Sequence, residues 1–166
     1  TGKIVNSSPC EIMNRFLASW AENAYDESLE LLSDDVKYKD NAVPIWAQNS
    51  GTFLGRDAVR EAMRQSSEHW DHMARRPGPL RRHSADPMRF HCQIEHAVRH
   101  RASGEMLFFK NRMVAKIKGE RIAEIKLFHD VAQFQAFLRF IRSTSTGGNS
   151  KSPKAECSQA KAPAAS

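Results

Sequence analysis

The chain has 166 residues, the size of one domain with room for a tail. Lys and Arg number 25 against 19 Asp and Glu, a formal charge of +6, and 40% of the residues are hydrophobic, enough to bury a core. No run of ~18 apolar residues exists to form a membrane-spanning helix, so no membrane partner is expected. Cys10, Cys92 and Cys157 are odd in number and far apart. That spacing argues against a zinc site or a disulfide framework and for a reducing compartment. Thr1–Asn6 has no apolar signal-peptide region, so the expected location is cytoplasmic.

In chain order, Ile12, Phe16 and Trp20, with Met13 and Leu17 beside them, predict a helix over about residues 10–23. A short helix over 26–33 follows, with Asp26 as its N-cap and Leu29 and Leu32 buried. Val36, Tyr38 and Asp40 alternate with Lys37 and Lys39 as in a strand, and a loop runs on through Pro44, Asn49 and Gly51. Gly55-Arg56-Asp57 opens a longer helix that is expected to reach Met73, before Pro77-Gly78-Pro79 ends it. The second half reads as strands over 88–101, 106–118 and 121–129, with turns at Ser103-Gly104 and Gly119-Glu120. Asp130-x-x-Gln133 resembles a capping box and starts a last helix, with Phe134, Phe137, Leu138 and Ile141 on its inner face.

The positive charge is unevenly spread. From Ser143 onward the chain has no aromatic residue and no aliphatic residue larger than Ala. Such a segment buries too little apolar surface to offset its ordering entropy, so 143–166 is expected to be a disordered tail. Residues 1–9 are read as an N-terminal extension and 10–142 as the domain. Within the domain, residues 75–101 hold seven arginines against Asp86 and Glu95, and the remainder is slightly acidic. Arg89, Arg99 and Arg101 fit the solvent face of strands. No nucleic-acid motif accompanies them, which argues against a nucleic-acid partner.

Helices followed by an antiparallel meander indicate an α+β fold whose helices cover one face of a curved sheet, leaving a concave pocket. Three blocks carry a more specific resemblance. They are Arg15-Phe16 through Trp20 with Tyr25 through Val36, then Gly51-Thr52-Phe53-Leu54-Gly55-Arg56-Asp57, then Gly119-Glu120-Arg121-Ile122 through Phe128. Together the chain resembles the nuclear-transport-factor-2-like superfamily, in its SnoaL-like, ketosteroid-isomerase-like and scytalone-dehydratase-like branch. The resemblance implies a cone-shaped α+β barrel, a homodimer and a pocket for an apolar small molecule.

It also implies candidate residues. Asp40 matches the position of the proton-shuttling aspartate of ketosteroid isomerases, and Tyr38 shares its strand face. A carboxylate in an apolar cavity has a raised pKa, which suits proton abstraction beside a carbonyl. The oxyanion tyrosine of that branch falls on Phe16, which cannot donate a hydrogen bond, and its protonated aspartate falls near Asn111. The aspartate-arginine-aspartate relay of the epoxide-hydrolase branch falls on His96, Val98 and Leu127, and the missing carboxylates argue against that chemistry. His83 and His96 look like the two histidines of the dehydratases. Two imidazoles and an aspartate suit elimination of water.

Phe16, Trp20, Trp46, Phe53, Met63 and Met113 are the candidate substrate-binding residues, with Trp46 and Phe53 as a lid. No Gly-rich phosphate loop, nucleophile elbow or metal-spaced histidine pair appears, so no cofactor and no metal is expected. The expected activity is cofactor-independent proton-transfer chemistry (isomerisation, cyclisation or dehydration) on a carbonyl-bearing polyketide, terpenoid or steroid. The alternative is a non-catalytic ligand-binding or dimerisation module of the same fold.

Overall fold

The computed structural model describes residues 7–146. Helix α1 (Pro9–Ala21) is set by a capping box that the sequence pattern had not revealed. Ser8 Oγ accepts from Glu11 N, and Glu11 Oε2 accepts from Ser8 N at 2.6 Å. Ile12, Met13, Phe16, Leu17 and Trp20 form its buried face. Helix α2 (Tyr25–Glu30) starts after Ala24, so Asp26 lies in its first turn and is not its cap. There the carboxylate faces the positive end of the helix and pairs with Arg60 at 2.7 Å.

Strand β1 (Leu32–Asp40) carries the expected alternation, with Val36 and Tyr38 buried. The segment expected to be a loop contains helix α3 (Val43–Trp46), begun by Pro44 in its first turn, and strand β2 (Thr52–Leu54) on the edge of β1. Helix α4 (Arg56–His69) stops earlier than its sequence suggests. Trp70 turns to extended backbone and begins strand β3 (Trp70–Pro77), which pairs with β5. Trp, His, Met and Ala tolerate either conformation, and the open edge of a long strand decides between them.

The two-residue β4 (Arg81–Arg82) also pairs with β5 (Arg89–His100). Strands β6 (Met106–Lys118) and β7 (Arg121–His129) match their expected bounds. Helix α5 (Val131–Thr146) runs four residues into the segment assigned to the tail. Hydroxyls of Ser143, Thr144, Ser145 and Thr146 bond back to carbonyls three or four residues earlier in the helix. The rest of that segment, with Cys157, lies outside the described residues. At the start of α5, Asp130 Oδ1 accepts from Gln133 N at 3.2 Å. The Gln133 amide donates instead to the carbonyl of Phe108, so the capping box is one-sided.

The fold is α+β. Its single sheet runs β2-β1-β7-β6-β5-β3, curved but unclosed, with β1 and β7 parallel and the other neighbours antiparallel. Inside the curve lie two apolar clusters. One is built on α1 and the strand centres, around Phe16, Phe90, Ile94, Met113 and Ile125. The other joins Trp70, Val98, Leu107 and Phe134 under α3 and α5. The cavity lies between them. Among the described residues no helix is long and apolar enough to cross a membrane. Cys10 and Cys92 are free thiols. Most of the arginine excess sits on the solvent side, with Arg99 and Arg101 both pairing to Asp71 and Arg89 facing Asp86.

Gly51 ties the peripheral β2 hairpin to the end of β1. Its φ is +69°, and a Cβ there would lie 2.3 Å from the carbonyl oxygen of Asp40. Its own carbonyl accepts from Asp40 N at 2.8 Å. Gly51→Ala should therefore cost about 2–3 kcal/mol, from strain added to the left-handed backbone penalty. Gly104→Ala, with φ +74° and open space around it, should cost only about 1 kcal/mol. Urea denaturation of the two variants checks the ranking.

Candidate active site

The sheet places one polar residue after another along its concave face. In β5, Cys92, Ile94, His96 and Val98 share the inner side, as the alternation predicts. In β6 it is Phe109, Asn111 and Met113. His96 lies across from Phe109 in register, Asn111 across from His129, and Leu127 across from Asp40. The remaining member comes from β3. A register shift between His72 and Ala74 leaves Met73 without a partner, and this bulge reverses the phase of the strand. Arg75, in place of Ala74, then faces inward opposite His96.

These residues surround a cavity of about 70 Å³. Its wall includes Asp40, Tyr38, His96, Asn111, Trp20, Trp46 and Met63, all proposed from sequence. It also includes His72, Arg75 and His129, none of which sequence reasoning singled out as a site residue. The remaining candidates lie elsewhere. Phe16 and Met113 are in the core behind the wall, Phe53 packs on the far side of Tyr38 at 6.0 Å, and His83 is exposed beyond β4. His83 Nδ1 accepts from the backbone of Ala85 and shapes its own turn. Trp46 does sit at the mouth, 6.2 Å from the Trp70 ring and 5.1 Å from His69. Of the two residues expected to form a lid, it is the one that lines the cavity.

Asp40 and His129 form the clearest pair. The Asp40 side chain, 14% exposed, places Oδ1 at 3.3 Å from His129 Nε2 and at 2.8 Å from the backbone N of Ala42, from which it accepts. Asn41 fixes the imidazole's backbone from the other side. Its Oδ1 accepts from His129 N at 2.7 Å, and its Nδ2 donates to His129 O at 3.1 Å. These bonds prolong the β1–β7 ladder through a side chain. Both ring nitrogens of His129 are buried and neither makes a hydrogen bond, so Nε2 faces Asp40 at 3.3 Å by proximity alone.

His96 is held differently. Its ring stacks on Phe109 at 4.6 Å with 6° between planes, and the Trp20 edge closes on it at 5.6 Å. Both ring nitrogens lack a hydrogen-bond partner, as do both amide atoms of Asn111, although only 6% and 2% of these residues are exposed. Burial, and next the Arg75 guanidinium, push the His96 pKa down to about 3. His72 is lowered by the same two causes. Its Nε2 meets Ser66 Oγ at 2.9 Å. Burial, reinforced by the Asp40 carboxylate, raises Tyr38 far above the usual phenol range. The cavity thus contains a neutral imidazole, a neutral phenol and a carboxamide, beside a carboxylate–imidazole pair. Buried polar atoms in folded proteins are rarely unpaired. Here several of them belong to residues that line one cavity.

No family model and no curated protein sequence matches the chain. Solved structures do. An NTF2-like protein of unknown function from Burkholderia pseudomallei aligns over 81% of this chain and 98% of its own, with TM-score 0.68 and 18% identity. TerC, co-crystallised with polyporic acid, aligns over 81% and 99%, with TM-score 0.67 and 16% identity. A protein of ketosteroid-isomerase-like fold from Catenulispora acidiphila, in complex with trimethylamine, aligns over 76% and 90%, with TM-score 0.63 and 13% identity. The chain therefore has the nuclear-transport-factor-2-like fold expected from its sequence.

The lowered histidines set a pH dependence. Below pH 6.5, their ordinary value, the unfolded chain binds protons at His72 and His96 that the folded protein does not. Stability is therefore full at neutral pH and declines as pH falls through 6.5 toward the folded value of about 3, by up to about 1.4 kcal/mol per pH unit for each histidine. Urea midpoints measured between roughly pH 7.5 and roughly pH 5 should show this decline, and His96→Leu should remove about half of it.

Proposed function

We propose that this protein is a cofactor-independent isomerase or lyase that moves a proton beside a substrate carbonyl. The Asp40–His129 pair carries the reading, since it is held in an apolar cavity that also contains unpartnered donors. Asp40 is the base, and His129 relays the proton or accepts it at Nδ1 with Asp40 steadying the imidazolium. Asn111 Nδ2 and the Tyr38 hydroxyl donate to the oxygen on which enolate charge develops. His96 acts as a neutral ring, since a pKa near 3 leaves no imidazolium at neutral pH. It donates or accepts a hydrogen bond without carrying charge, a narrower part than the acid–base partner expected from sequence.

The cavity volume supports a substrate whose reacting end alone is enclosed. About 70 Å³ is well below the ~300–1,000 Å³ of clefts that swallow a whole drug-sized ligand. A polyketide-, terpenoid- or steroid-like body would extend past Trp46 at the mouth. Solvent-deuterium exchange into the carbon next to the carbonyl, followed by NMR across a panel of ketones, tests the reading without presupposing the product. Asp40→Asn should slow exchange at least ~100-fold with an unchanged circular dichroism spectrum. Equal rates in the wild-type protein and the variant would remove Asp40 from the chemistry.

A second reading concerns assembly. Met106, Phe108 and Phe128 stand on the outer side of β6 and β7 and are 39%, 67% and 49% exposed. Three exposed apolar side chains spaced among the charged residues of this sheet face support a homodimer formed across it. Phe108→Lys should convert the dimer to monomer in analytical ultracentrifugation, and a wild-type monomer at micromolar concentration would contradict the proposal.

A further inference from the structure

Arg75 is an arginine in an apolar wall with no carboxylate to neutralise it. The residue is 8% exposed. Among the described residues it takes part in no ion pair, although eight other arginines and lysines do. Asp40 shares the cavity but pairs with His129. A lone buried cation is costly, and proteins normally compensate it.

Part of the compensation is local. Nη1 donates to the carbonyl of Trp20, in the last turn of α1, at 2.9 Å, and to Asn23 Oδ1. Nη2 donates to the Tyr25 hydroxyl at 3.1 Å. The guanidinium carbon lies 4.6 Å above the Trp20 ring and 5.5 Å from that of Tyr25. All these partners are neutral. The guanidinium has five N–H bonds, and these contacts occupy three. The remaining two are one on Nη2 and the one on Nε, which is buried and has no partner. Nε and Nη2 are neighbours on the planar fork, the arrangement that takes both oxygens of a carboxylate.

Arg75 stands across the β3–β5 ladder from His96. The cationic end of the cavity is thus adjacent to the neutral donors, while the Asp40–His129 pair stands toward the other side, on β1 and β7. An acid group seated on Arg75 places the rest of a short molecule among His96 and Asn111. A volume of about 70 Å³ holds on the order of two to five water-sized groups, which suits the carboxylate end of an oxo acid.

We infer that the enclosed end of the substrate is an oxo acid, its carboxylate bound by the Nε–Nη2 edge of Arg75 and its carbonyl by the unpartnered donors beside it. The inference rests on the proton-transfer reading above and adds the substrate's charge. The carboxylate neutralises the buried guanidinium, and a ketone lacking it leaves the cation unpaired and binds more weakly. Arg75 is a binding residue here, and its bonds to Trp20, Asn23 and Tyr25 hold it in place.

Calorimetric titration of the full chain with isosteric pairs separates the possibilities, using levulinate against its amide and pyruvate against pyruvamide, with inorganic phosphate as a general anion. The expected result is saturable binding of the carboxylates at least ~10-fold tighter than the amides, with phosphate weaker than the carboxylates. In Arg75→Gln that preference should fall to nearly equal affinity. Because Arg75→Gln also loosens the α1 corner, Arg75→Lys serves as a second variant, keeping the charge without the fork. Partial retention of the preference is expected there. Equal binding of acid and amide by the wild-type protein, or no binding of either acid, overturns the inference, as does a preference that survives Arg75→Gln. The titration is independent of turnover. Acid-selective binding without deuterium exchange would overturn the proton-transfer reading and leave the anion site standing. Exchange that ignores the acid group would do the reverse.

Discussion

The guanidinium of Arg75 is bound to the end of α1, and much of the architecture depends on that attachment. Helix α1 covers the sheet with the apolar face formed by Ile12, Met13, Phe16, Leu17 and Trp20. The carbonyl of Trp20, the Asn23 side chain and the Tyr25 hydroxyl are fixed at one height on β3 by the bonds they accept. Apolar burial supplies most of the free energy of such a fold, but it is non-directional. A buried, directional, charged contact supplies position instead. It keeps Trp20 over His96 and Tyr25 beside the cavity.

The opposite side of the cavity is organised by a different device. There the parallel pairing of β1 with β7 brings the first strand against the last, and the Asn41 amide prolongs the ladder past its regular end. Asp40 and His129 lie 89 residues apart in sequence and meet because that ladder is extended. The two poles are thus built independently, one by a helix corner and a cation, the other by a strand end and a carboxamide. Phe109 and its stacked imidazole lie between them.

Much of this was legible in the sequence. The alternation in β1, β5 and β6 placed Asp40, Tyr38, His96 and Asn111 inward, because period-two patterning is strong in long strands with one buried face. Gly104 and Gly119 mark the ends of the meander's strands for a different reason, since both turns need a positive φ. His129 was overlooked because it ends a strand, where alternation has no following residue to confirm it. His72 and Arg75 were overlooked for two linked reasons. The sequence pattern carries helix α4 on to Met73, across His72, and the seven arginines of 75–101 resemble one solvated group. A count of charges treats Arg75 and Arg76 alike, although one is buried and the other exposed. His83 was misplaced by the opposite error, since a histidine near a strand resembles a catalytic one until its turn is known.

The bulge at Met73 has a consequence beyond the geometry of β3. In a strand, inside and outside are a matter of parity, and one unpaired residue resets the count for everything after it. Were Met73 paired in an unbroken ladder, Ala74 would face His96 and Arg75 would face solvent. The cavity would lose its cation without any substitution in its wall. The electrostatic character of this pocket is therefore encoded in a length as much as in an identity. Removing one residue at this bulge would turn Arg75 out of the cavity wall and leave every residue type of the wall strands unchanged.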